Sequence, residues 1–176
     1  MTTKTMQQRE AEITDELANA TMSAHLVAAA TGVQRATLQQ WCNAEVVGFT
    51  QVKAGGRTFR RFSVLDALTV ALVEIISRIG IKPMEAKEIV ELAREGIGQR
   101  IIFMGVDNPV TYRFFAIFHG GNELEAMFFH PNDPISQLVQ PGTSNAGAFI
   151  VVDIDSMAKK TIDKLAKQKM AEEDSE

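Results

Sequence analysis

Residues 49–66, "FTQVKAGGRTFRRFSVLD", constrain the fold more than any other stretch of this chain. Side chains alternate on either side of Gly55-Gly56, the pattern of two antiparallel strands joined by a tight turn. At Ser63 the pattern changes at once. A serine with Asp66 three residues on is the pair that starts a helix. A hairpin that runs straight into a helix restricts what can precede it. The same region gathers charge. Residues 34–61 hold Arg35, Lys53, Arg57, Arg60 and Arg61 against Glu45 alone, in a chain of net charge −4. From 99 to 155, Arg100 and Arg113 face six carboxylates. One basic patch on an otherwise acidic chain offers a footprint for an anion.

The rest of the chain divides around that hairpin. Residues 1–22 are polar and weakly periodic, which predicts a mobile arm with at most a fragment of helix. Ser23 is placed to cap a helix over "AHLVAAAT", with Leu26, Val27 and Ala30 on one face and Gly32 at its end. A second short helix is expected from about Gln34 to Asn43, with Val33, Leu38 and Trp41 as its apolar side. After Ser63, a long helix carries Leu65, Leu68, Leu72, Ile75, Ile76 and Ile79 and stops at Gly80. "IKPMEAKEIVELAREG" predicts another, with Pro83 in its first turn and Gly96 at its end.

After Gly98 the character changes. "RIIFMGV", "TYRFFAIFH", "LEAMFFH" and "AFIVVDI" are rich in strand formers. Residues 131–147 read as a long loop. Ser156 is placed to cap a last helix, followed by a charged tail over 168–176. The expected fold is therefore α+β. A helix–turn–helix–hairpin–helix–helix unit spans 23–97. A small antiparallel β-sheet domain with a C-terminal helix spans 98–167.

Here the order of elements meets a known pattern. "VAAATGVQRATLQQW", then "GGRTFRRFSVLDAL", then "RIGIKPMEAKEI" resemble the MerR-type winged helix-turn-helix over roughly 23–95. The resemblance implies a winged fold that binds double-stranded DNA. It places a recognition helix on 34–43 and a wing on the hairpin. Gln and Arg side chains can pair bidentately with adenine and guanine edges. Gln34, Arg35, Gln39 and Gln40 are the expected base readers. Lys53, Arg57, Arg60 and Arg61, with Thr37, are the expected phosphate contacts, which position without reading sequence; for Arg60 the alternative is a structural role, with its stem packed between Phe59 and the helix ends. This chain departs from the family at Ala36 and Gln39, where basic residues are usual, which predicts weak binding by one domain. The long dimerisation helix that usually follows is expected to be cut short by Gly96 and Gly98. The family's metal-sensing cysteines have no counterpart.

Other candidates are less productive. Trp41 shares a side with Leu38, which predicts core rather than base stacking. The single cysteine, Cys42, excludes an intrachain disulfide and a multi-cysteine metal site. Only Arg35 lies near it in sequence, which predicts an inert thiol. His119, His130 and Asp133 match no metal-ligand spacing. No phosphate loop, nucleophile elbow or triad is present, so neither enzyme chemistry nor a cofactor is expected. In "YRFFAIFH", Tyr112, Phe114 and Phe118 alternate with Phe115 and Ile117, which predicts burial on both faces. One face would meet the last helix and the other a second subunit, giving a homodimer through 98–167; the alternative is core packing without a dimer. No run of eighteen apolar residues and no signal-peptide pattern occurs, so a cytoplasmic protein is expected. The expected function is a sequence-specific transcription regulator of bacterial or phage type, with RNA polymerase as a possible partner. A phage packaging, recombination or architectural DNA-binding factor is the alternative. A non-DNA adaptor or ligand sensor is the third reading.

Overall fold

The structure, a computed structural model, describes residues 12–15, 17–102, 113–120, 123–130, 132–133 and 149–173. Residues 12–15 and 17–18 are helical, and Leu17 is buried, so the expected arm holds an anchored turn. Strand β1 (Met22–Ser23) leads into α1 (Ala24–Thr31). The Ser23 hydroxyl accepts the Leu26 N–H at 3.1 Å, and Gly32 closes the helix at φ +80°. That left-handed conformation suits a residue without Cβ. Helix α2 (Arg35–Asn43) starts at an extended Gln34 and buries Leu38, Trp41 and Cys42.

Strands β2 (Thr50–Ala54) and β3 (Arg57–Phe62) form the expected hairpin. Gly55 at φ +56° and Gly56 at φ +74° make its turn, where two successive positive φ angles match the twist of the strands. β3 is the central strand of a three-stranded sheet, between β1 and β2. Phe62, fully buried, ties it to the core. Helix α3 (Val64–Arg78) begins with the expected reciprocal cap. Asp66 N–H donates to the Ser63 hydroxyl at 3.0 Å, and Ser63 N–H donates to the Asp66 carboxylate at 2.8 Å. Ala67, Leu68, Val70, Ala71, Leu72, Val73 and Ile76 are all buried. A helix apolar nearly all round sits at the centre of a fold, and α3 does.

Helix α4 (Lys87–Ile102) corrects two expectations. It starts after a turn over 83–86, so Pro83 precedes it. It also runs through Gly96 and Gly98, so the residues 100–102 of the first expected strand are helical. The rest of that strand lies outside the described residues, as does Tyr112. Gly96 continues the helix because of what lies against it. A Cβ on Gly96 would fall within the Phe128 ring. Glycine thus brings the helix close to the second sheet, and this packing overrides its poor propensity.

That sheet comprises β4 (Phe114–Gly120), β5 (Glu123–Phe129) and β6 (Phe149–Asp153), in the order β5-β4-β6 and antiparallel throughout. Its inner face, with Phe115, Ile117 and Val152, joins the main core. Its outer face carries a small second cluster of Ala116 and Phe129 with Phe114 packed on it. The side chain of Phe118 lies outside the described residues.

Helix α5 (Ile154–Glu173) follows β6 directly. Its cap is Asp153, not Ser156. The Asp153 carboxylate accepts the N–H groups of Asp155 and Ser156 at 3.1 and 3.3 Å, and the Ser156 hydroxyl at 3.0 Å. The helix continues through residues 168–173, which were expected to be tail. Met157, Ala158, Thr161 and Leu165 pack it against α1, α3 and α4. The expected boundary at 97/98 falls inside α4, and one continuous core runs from Leu26 to Leu165.

Candidate nucleic-acid interface

Helical periodicity sets what α2 presents. Leu38, Trp41 and Cys42 turn inward, so Arg35, Gln39 and Gln40 stand exposed on the opposite side, and Gln34 is exposed at the cap. Trp41 is core, as its spacing predicted, and Thr37 is half-buried. A cleft of ≈ 400 Å³ opens between α2, the first turn of α1 and β3. Arg35 and Gln39 line it from α2, and Thr58, Phe59, Arg60 and Arg61 line it from the hairpin. Gln34, Thr37 and Gln40 do not line it. Lys53 and Arg57 lie at the hairpin end, paired with Thr58 and Ala54 across the strands. The expected site residues therefore split into a cleft group, a wing-tip group, and Gln34, Thr37 and Gln40 elsewhere on α2 and its cap.

Arg60 and Arg61 have defined internal partners. Arg60 donates to the Asn43 side chain at 2.5 Å and lies over the Phe49 ring at 4.7 Å. It clamps the hairpin to the end of α2, a structural role beside the phosphate role expected of it. Arg61 donates to the Thr21 carbonyl at 3.3 Å and holds the segment before α1. Among the described residues, Arg35, Lys53 and Arg57 have no ion-pair partner. These three are the cations most available to an anion.

Cys42 lies under the same cleft. Burial pushes its thiol above the ordinary value, and the neighbouring Arg60 guanidinium offsets this only in part. The buried thiol is held in its protonated, unreactive form. Two features escape a reading by composition. His25 lines the cleft, exposed in the first turn of α1. The Ser23 cap was the signal that could have placed it there. Val52 and Phe59 face each other across the hairpin and remain 39% and 43% exposed.

A second cleft, of ≈ 360 Å³, lies between residues 45–49, α3 and α4. Its cation, Arg94, is engaged by Asp66 at 2.6 Å. Gly48 permits this approach, since a Cβ there would sit 3.1 Å from the Asp66 carboxylate and 3.2 Å from Arg94. This cleft has no unpaired charge to offer an anion.

His130 and Asp133 close a turn after β5. The His130 N–H donates to Asp133 at 2.7 Å, and the Asn132 N–H donates to His130 Nδ1 at 3.2 Å. The backbone of His119 lies in β4 opposite Leu124. Among the described residues, no three His, Cys, Asp or Glu side chains gather as a metal site, and no helix is long and apolar enough to cross a membrane. Neither the family models nor the curated proteins compared with this chain match it.

Proposed function

We propose that this chain is a sequence-specific double-stranded DNA-binding protein, a transcription regulator of bacterial or phage type. One observation carries the reading: an exposed polar helix and a basic hairpin border a single cleft. Arg35 and Gln39 are the base readers that line this cleft, and Gln34 and Gln40 extend the same helix along the major groove. Lys53, Arg57 and Arg61 hold phosphates on the wing. Arg60 fixes the angle between wing and helix. Two copies would meet through the outer face of the second sheet, where Phe114 is half-buried and Met127 and Val151 are exposed. A two-fold protein recognises a two-fold operator, and paired half-sites multiply affinity.

A second reading, a DNA-bending or packaging factor, draws on the exposed Val52–Phe59 pair. Apolar side chains beside cations are the wedges that unstack base steps in minor-groove binders. Selection from random duplexes, followed by salt titration of the enriched sequence, separates the two. A regulator yields a two-fold motif, and changing Lys53, Arg57 and Arg61 to Gln lowers the log–log salt slope by roughly two to three units per copy bound. Salt-dependent binding without enrichment favours the bending factor. Absence of salt-dependent binding sinks both.

A further inference from the structure

The middle of helix α5 carries a second run of positive charge, between Asp155 in its first turn and Glu172 and Glu173 at its end. Between 156 and 171 it holds Lys159, Lys160, Lys164, Lys167 and Lys169 against Asp163 alone, and all five lysines are exposed. Among the described residues none of them has a carboxylate at ion-pair distance. At helical spacing Lys160, Lys164 and Lys167 share one stripe, with a rise of about 10 Å from first to last. A helix face with no partner commonly alternates its charges, because like charges four residues apart weaken it. Lys160 and Lys164 are such a like-charged pair. The neighbouring α4 exposes Glu88, Glu91 and Glu95 instead.

Helix α1 touches both the cleft and helix α5. Its first turn lines the cleft through Ser23, Ala24 and His25, and α5 packs along it. We infer that the Lys160–Lys164–Lys167 stripe is a second phosphate-binding surface, which holds duplex DNA flanking the segment seated in the cleft. This rests on the DNA-binding reading above. Lysine ammonium groups act as separate point charges and suit a row of phosphates, each neutralised without a set orientation.

The test uses the full chain, two duplexes and a salt titration of each. One duplex holds the selected site alone. The other extends it by about one helical turn on either side. The wild-type slope should be steeper on the long duplex. The variant K160Q/K164Q/K167Q should lose about two to three units of slope per bound copy on the long duplex and none on the short one. Its thermal melting should match the wild type, since the three side chains are exposed. Equal slopes for wild type and variant on the long duplex overturn the inference. So does an equal loss on both duplexes, which would place the lysines on the cleft-bound DNA itself. The short duplex is the control for the underlying reading. A wild-type chain that fails to bind it removes that reading. Lysine-dependent binding of polyglutamate would then assign the stripe to an acidic protein.

Discussion

The chain builds two three-stranded antiparallel sheets and puts them to opposite uses. In each, one strand lies between two others: β3 in the first sheet and β4 in the second. Every residue of β2 is exposed, and Phe62 alone is buried in β3. In β4, Phe115, Ala116 and Ile117 are all fully buried. The second sheet is a wall of the core. The first is a projection, held at its base by Phe62 and braced by the Arg60–Asn43 bond. Sheets are stabilised by the surface they bury and by their cross-strand pairs. A hairpin that buries one side chain opens locally at low cost, as segments that take partners commonly do. The contrast teaches that strand formation alone does not locate the core. A residue's face, and what packs on that face, does.

The largest expected effect sets one phenylalanine of each sheet against the other. Phe115 is fully buried and packs on Phe128 with ring centroids 4.7 Å apart. Phe115→Ala should cost about 3–5 kcal/mol in urea unfolding, the usual range for a buried aromatic truncation. Phe59→Ala should change stability by less than about 0.5 kcal/mol, as exposed substitutions do. It should act on nucleic-acid binding instead. Similar losses at the two positions would break the comparison.

A smaller effect, with opposite signs, is expected within α4. Gly96 lies against Phe128, and an added Cβ meets the ring. Gly98 has space, since its Cβ would meet Leu65 at 3.7 and 3.9 Å, ordinary contact distances. Overpacking costs about 1–3 kcal/mol, which outweighs the propensity gained from alanine. Gly96→Ala should therefore lower the unfolding midpoint. Gly98→Ala should raise stability by about 0.5–1 kcal/mol. Two shifts of the same sign would mean that helix propensity, not contact with the sheet, governs this segment.

These glycines also mark where the sequence was legible. The caps at Ser23 and Ser63 and the Gly55-Gly56 turn are local rules, carried by residues within four positions of each other. So was the inward side of α2, which follows from the spacing of Leu38 and Trp41. Gly96 was misread as a terminator because its reason is Phe128, thirty-two residues away in sequence. Asp153 was missed as the cap of α5 because strand passes into helix there without a linker. A structural role for Arg60 was legible, but its partners were not. Composition counts Arg60 with Arg57, but one holds Asn43 and Phe49 while the other faces solvent. The lysine run of α5 does not show in the charge total, because Asp155, Glu172, Glu173, Asp174 and Glu176 offset it.

The smallest effect tests how the second sheet is joined to its helix. Arg113 donates to Asp153 at 3.1 and 2.7 Å, and Arg100 donates to Asp155 at 2.6 Å through two nitrogens. The Arg113 hydrogen bond holds the Asp153 carboxyl below its ordinary range, and the bonds from Ser156 add to this against partial burial. A depressed carboxyl stabilises the folded state fully above its unfolded value of about 3.9, and this contribution is lost as pH falls through the folded value. Acid should therefore weaken the chain progressively below about pH 5. Asp153→Asn should lower stability at neutral pH by about 1 kcal/mol or less, because the pair is partly exposed and screened by salt. Its unfolding curve should also approach that of the wild type in acid, where the wild-type carboxyl has taken up its proton. The wing offers a contrast within the same molecule. Among the described residues it has no carboxylate in an ion pair, so Arg57→Gln should leave the acid limb unchanged. If Asp153→Asn and the wild type keep a constant difference from neutral pH into acid, the Arg113–Asp153 pair does not join strand to helix electrostatically. The junction would then rest on the cap hydrogen bonds and on the buried Ile154 between the two aspartates.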